Sequence, residues 1–227
     1  MMLSACSHAA ESERGIPIGG PLPGGAAIFT HVVSYRDQRF NHVVRQQTDF
    51  SCGAAALTTL LKYAYGMDVT EREVFFGMYA VSDPTILQQR GFSLLDMKRY
   101  LDSIGMQGVG YRIKESELYR VKVPVIVLLN IGGYEHFVVM RKASPTGVYV
   151  ADPALGNRQI ALSSFMHDWQ FQIIFAVISP GYDPDNPLLV TEKPMSANQQ
   201  ARELLPAFNP LTQHILSTIA VNPGARL

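Results

Sequence analysis

Cys52 stands directly before a glycine, at the head of the alanine- and leucine-rich stretch CGAAALTTLLKYAYG (52–66), in a chain with only two cysteines. A thiol kept for packing belongs mid-helix on the apolar face. At a first turn, the helix dipole and the free backbone N–H groups favour negative charge instead. The chemistry this suggests is attack by a thiolate on a carbonyl carbon. That chemistry needs a base for the thiol proton, a group to orient the base, and donors for the oxyanion. His136 is the histidine best placed to be the base, because it opens the strand-like HFVVM after the glycine turn IGGYE. The other five lie elsewhere: His8 and His31 in or near the N-terminal leader, His42 on the approach to the first helix, His167 in a helical turn, and His214 near the C-terminus. A lone histidine at a strand start is more often structural, so the case for His136 depends on its company.

That company is Asp152, which ends GVYVAD sixteen residues later. Two antiparallel strands joined by the turn KASPTG bring the start of one beside the end of the other, so His136 and Asp152 become neighbours at one sheet edge. The commoner role of an Asp-Pro pair is to start a turn. Gln46, six residues before Cys52, offers a side-chain amide that could share an oxyanion with the Cys52 N–H, with Gln47 as the alternative. Taken singly, a solvated loop glutamine is the ordinary reading of either.

The elements that must position these residues can be read from pattern. A helix runs from Cys52 to Tyr65 and stops at Gly66. Thr70 with Glu73 forms a capping-box pattern for a second helix. DPTILQQRG (83–91) reads as a loop, and SLLDMKRYLDSIG (93–105) as a third helix with Ser93 as N-cap and Gly105 at its end. The pattern then changes to strands: MQGVGYRI, PVIVLLNI, HFVVMRK, GVYVAD, RQIAL and QIIFAVI. Helices first and strands afterwards predict an α+β fold, with an N-terminal helical half carrying the cysteine and a C-terminal antiparallel sheet carrying the histidine and aspartate. AIFTHVVSY (27–35) offers a short strand ahead of them.

The ends differ in composition. Residues 1–29, rich in Gly and Pro, read as a flexible leader, residues 30–179 as the folded domain, and residues 180–227 as a C-terminal extension with one helix candidate at SANQQARELL. In MMLSACSHAA, LSAC resembles a lipoprotein cleavage box with Cys6 as a lipid anchor, and SHAA resembles an ordinary signal cleavage site. The expectation is a truncated export signal and a periplasmic or exported protein. A chance run of small residues is the alternative.

Bulk properties narrow the function. The chain has 227 residues, 47% hydrophobic and 17% charged, with no formal net charge. No basic field exists to hold nucleic acid or anionic lipid. Apolar stretches such as VIVLLNI are far too short to span a bilayer. Two cysteines allow at most one bridge, Cys6 to Cys52, and supply no structural zinc site.

Taken together, Gln46, then Cys52-Gly53, then His136-Phe137-Val138-Val139, then Asp152-Pro153 with Gly156 resemble the bacteriocin-processing, or double-glycine, peptidase family, a papain-like clan of cysteine peptidases. The resemblance covers about Arg45 to Ile178. It implies a papain-like fold, Cys52 as nucleophile, His136 as base, Asp152 as its orienter and Gln46 in the oxyanion hole. It implies cutting of a peptide or secreted protein after Gly-Gly, and no metal or organic cofactor. Two features depart from the family. Many members have Asp where this chain has Ser51, and many are domains of membrane transporters. The chain therefore looks like a standalone member, and as an exported one with the helix GFSLLDMKRYLDSIGM it is similar to a group encoded with functional-amyloid secretion genes, which implies a secreted amyloid component as a partner. The rivals are a non-catalytic peptide-binding module of the same fold, and a transglutaminase- or amidase-like enzyme using the same residues on another acyl donor.

Overall fold

The computed structural model describes residues 38–189, together with a short antiparallel pair of strands, Ile16–Pro17 (β1) and Phe29–Thr30 (β2). Cys6, the leader glycines and the helix candidate at 196–205 lie outside the described residues.

Helix α1, Cys52–Ala64, is buried almost all round, as its run of Ala, Leu and Thr allows. Thr58 and Thr59 enter this apolar setting because their hydroxyls donate to Ala54 O and Ala55 O at 2.7 and 2.8 Å. Gly66 ends the helix in the left-handed region, at φ 62°. Helix α2, Glu71–Val81, carries the Thr70–Glu73 capping box, and α4, Leu94–Ser103, carries a second one between Ser93 and Asp96.

Residues 83–91 are not a loop. Pro84–Arg90 form a short helix, α3, whose first turn is capped by Asp83 Oδ1, accepting from Thr85 N at 2.8 Å. Asp-Pro signals a turn, but Asp at the N-cap with Pro at the first helical position also starts a helix.

The sheet follows: β3 (Gly108–Arg112), a 3₁₀ turn at Glu115–Arg120, β4 (Val125–Ile131), β5 (Tyr134–Ser144), β6 (Gly147–Asp152), β7 (Gly156–Ile160), helix α5 (Leu162–Asp168) and β8 (Ile173–Val177). The six strands are ordered β3-β8-β4-β5-β6-β7 and every pairing is antiparallel. The α+β arrangement expected from the sequence is the one observed. Both faces of the sheet are covered. Ile126, Phe137 and Val139 join α1 and α4 in one core, while Val127, Val138 and Met140 meet Phe165 and Trp169 in another. This explains why residues 125–129, VIVLL, are continuously apolar rather than alternating. Each such side chain, fully buried, contributes about 1.5–3 kcal/mol.

A bulge between Met140 and Lys142 turns Arg141 inward. Its guanidinium donates to Leu188 O at 2.6 Å and Pro187 O at 2.8 Å. Leu188 is fully buried and Asp183 N donates to Ala64 O, so residues 180–189 pack back on the helical core.

Candidate active site

Cys52 is the first residue of α1, buried and unbridged. The approach to it is fixed by backbone. Val44 N donates to Thr59 Oγ1 at 3.0 Å, and Gln46 N to Pro153 O at 3.0 Å. Ser51, at the N-cap of this helix, does not cap it with its side chain. Its Oγ accepts from Gln47 N and Thr48 N at 3.2 and 3.1 Å and donates to Thr48 O at 3.1 Å. One buried hydroxyl therefore closes the turn between Gln46 and Cys52. Gln47 is exposed, whereas Gln46 is half-buried. Gln46 Nε2 donates to Thr48 O at 3.2 Å, which leaves its second hydrogen for another acceptor. Gln46 Oε1 is buried with no partner among the described residues.

His136 is the third residue of β5, not the first, because the strand begins at Tyr134. Its Nε2 lies 2.8 Å from Asp152 Oδ1, and only 5% of His136 and none of Asp152 is exposed. With Nε2 engaged, Nδ1 is the nitrogen left for Cys52. It is buried without a well-formed hydrogen bond, yet Cys52 is close enough to favour the charged ring. A loose contact of this kind is usual for a nucleophile and base before substrate arrives. Burial opposes charge on the ring, but the hydrogen bond to Asp152, the negative charge of that carboxylate and the nearness of Cys52 outweigh it. Together they push His136 up to about 9 from 6.5. For Asp152 burial acts upward and is outweighed by His136, the Ala154 N–H and Arg158, so the carboxyl sits below its usual range.

Arg158 is the neighbour that sequence reading missed. Asp152 Oδ1 accepts from Ala154 N and Leu155 N as well as facing His136, at 2.9 and 3.1 Å. Oδ2 accepts from Arg158 Nε at 2.9 Å and from a terminal guanidinium nitrogen at 2.8 Å. The signal was the tight β6–β7 hairpin, which pairs Asp152 with Gly156 and sets Arg158, two residues on, on the same face as that glycine. Tyr134 is a second unforeseen neighbour. It stacks on His136, with ring centroids 6.2 Å apart, and its hydroxyl donates to Asp49 O at 2.7 Å.

Cys52 opens onto a cleft of about 380 Å³ walled by Phe50, Gly53, Phe92, Asn130 and Tyr134. The bond from Tyr134 to Asp49 ties its two walls. Arg90, Phe92 and Glu135 also line a neighbouring apolar trough, with Leu94, Leu95, Leu128 and Phe171. His167, exposed and paired with Asp168, stands on α5, and His42 lies against Tyr63. Among the described residues no three His, Cys, Asp or Glu side chains group to hold a metal, and no helix is long and apolar enough to cross a membrane.

Residues 41–180 match the Peptidase C39 family. Two curated relatives, each named probable functional amyloid protease FapD, are similar over most of their length. That of Pseudomonas aeruginosa is 49% identical over 190 residues, 84% of this chain and 82% of its own. That of Pseudomonas fluorescens is 49% identical over 185 residues, 82% of this chain and 81% of its own. Among solved structures, a double glycine motif protease from an AMS/PCAT transporter in complex with the leader peptide is 26% identical. It has a TM-score of 0.50 and covers 60% of this chain and 89% of its own.

Proposed function

Since the chain belongs to the Peptidase C39 family, a papain-like fold of cysteine peptidases with a role in secretion, we propose that it is an endopeptidase that cuts an exported polypeptide after Gly-Gly, using Cys52, His136, Asp152 and Gln46. The observation that carries this reading is the His136 ring, buried with one nitrogen on Asp152 and the other left for Cys52. His136 takes the thiol proton and the thiolate attacks the scissile carbonyl carbon. The Cys52 N–H at the helix start and the remaining Gln46 N–H receive the oxyanion. As the tetrahedral intermediate collapses, His136 gives its proton to the leaving amine. Water, deprotonated by the same ring, then hydrolyses the thioester. The aromatic walls at Phe50 and Tyr134 favour glycine at the two positions before the cut, and the apolar trough suits the segment preceding those glycines. Similarity to the FapD proteases supports an exported amyloid-system protein as substrate and the periplasm as the place of action.

The test is incubation of the chain with an exported protein containing Gly-Gly, with both new termini read by mass spectrometry. Cleavage should fall after the second glycine and stop when that glycine becomes leucine. Cuts that ignore the substitution would remove the specificity, and tight binding without any cut would favour a peptide-binding module.

Gln46→Ala should lower kcat by about 10²–10³-fold with little change in KM, because its amide matters only once charge forms on the oxygen. A rise in KM alone would make Gln46 a substrate-binding residue.

A further inference from the structure

We propose that Arg158 is a positioning residue that completes a chain of four alternating charges, Cys52–His136–Asp152–Arg158, and so sets how firmly His136 holds its proton. The inference rests on the peptidase reading above. In the ion-pair state, thiolate, imidazolium and carboxylate sum to one negative charge, on three residues that are 7%, 5% and 0% exposed. An unbalanced charge in such a site is costly. Arg158 balances it with two charge-assisted bonds to the carboxylate oxygen that His136 does not use. Its own side chain is 27% exposed, so the far end of the chain reaches water.

The consequence is chemical. A carboxylate with no other cation would concentrate its field on the imidazole. That helps to form the ion pair but hinders the later step, in which the ring must release its proton to the leaving amine. Arg158 draws part of that field away. Of the other titratable or charged groups, Tyr134 on β5 stacks on the ring and Cys52 faces it, while Asp49 before α1, Arg90 on α3 and Glu135 on β5 line the cleft onto which Cys52 opens. Arg158, on β7, reaches the ring through Asp152.

The experiment compares Arg158→Gln and Arg158→Lys with the parent chain. Two readouts are the NMR titration of the His136 ring and the pH profile of kcat/KM. In Arg158→Gln the titration midpoint and the alkaline limb should both rise by about one pH unit, the effect of losing one partly screened charge beside the carboxylate. Turnover should fall a few-fold, because a weaker acid protonates the leaving group less well. Arg158→Lys keeps the charge and should titrate near the parent. An unmoved or lowered midpoint in Arg158→Gln overturns the proposal, as does an equal shift in both variants. A purely structural role would lower thermal stability and reduce kcat/KM by one factor at every pH, without moving the limb. The titration needs no turnover. A chain that shows the shift but cuts nothing therefore refutes the peptidase reading alone.

Discussion

Cys52→Ala should leave a folded chain that cuts nothing. Loss of a nucleophile that works as a unit with its base lowers kcat on the order of 10⁶-fold in a comparable hydrolase. The fold should survive because the side chain is small and sits at the first turn of α1, beside Ala54 and Ala55, where a methyl group fits. The stability loss is about 1 kcal/mol, or roughly 2–4 °C in Tm for a domain of this size. The substitution also removes one of the groups that favour charge on His136, so the ring should titrate at lower pH than in the parent. Calorimetry and single-turnover hydrolysis check the two halves of the expectation. Residual hydrolysis by a cleanly folded variant would end the nucleophile assignment.

Asp152→Ala should have the second largest effect, a loss of about 10²–10⁴-fold in kcat/KM, the range for a general acid–base group that is no longer held in place. It frees the His136 ring and strands the Arg158 guanidinium without its carboxylate. Asp152→Asn is more informative. An imidazolium has a proton on both nitrogens, so the wrong-tautomer penalty seen when a serine triad loses its aspartate should be absent. An amide oxygen can take the place of Oδ1, accepting from His136, Ala154 N and Leu155 N. The amide nitrogen must then face the two Arg158 donors that Oδ2 now accepts from. The asparagine variant should fall between parent and alanine variant, and Asp152→Asn combined with Arg158→Gln should recover part of the difference. Both asparagine proteins should show His136 titrating at lower pH than the parent, since the carboxylate charge is gone. The check is kcat/KM against pH for all four proteins. Equal activity in the Asn and Ala variants would mean that Asp152 does more than hold the ring.

What could be read from sequence divides along physical lines. Helix starts were legible at Thr70 and Ser93 because a capping box is a local contact, complete within four residues. The start at Asp83 was misread because Asp-Pro serves a turn and a helix equally well. The strands were legible because each is bounded by turn residues, and the meeting of His136 with Asp152 follows from a single hairpin. Arg158 was not legible as a partner because its role depends on the next hairpin, where β7 carries it back beside Asp152. Ser51 looked like a missing family residue. Only the geometry shows its hydroxyl closing the turn that Gln46 and Cys52 flank. The long 3₁₀ turn at Glu115–Arg120 and the bulge at Arg141 have no period to betray them.

The division of the site between a helical half and a sheet half also bears on time. During synthesis Cys52 and Gln46 leave the ribosome long before His136, and Arg158 comes later still. Until β5 and β6 exist, Cys52 has no His136 ring beside it, and Gln46 N lacks the Pro153 carbonyl that fixes its place. On the peptidase reading proposed above, a nascent or still-unfolded chain therefore carries an idle cysteine, and activity arrives only when the β5–β6 hairpin has formed. An unfinished chain, on that reading, cannot attack its neighbours on the ribosome.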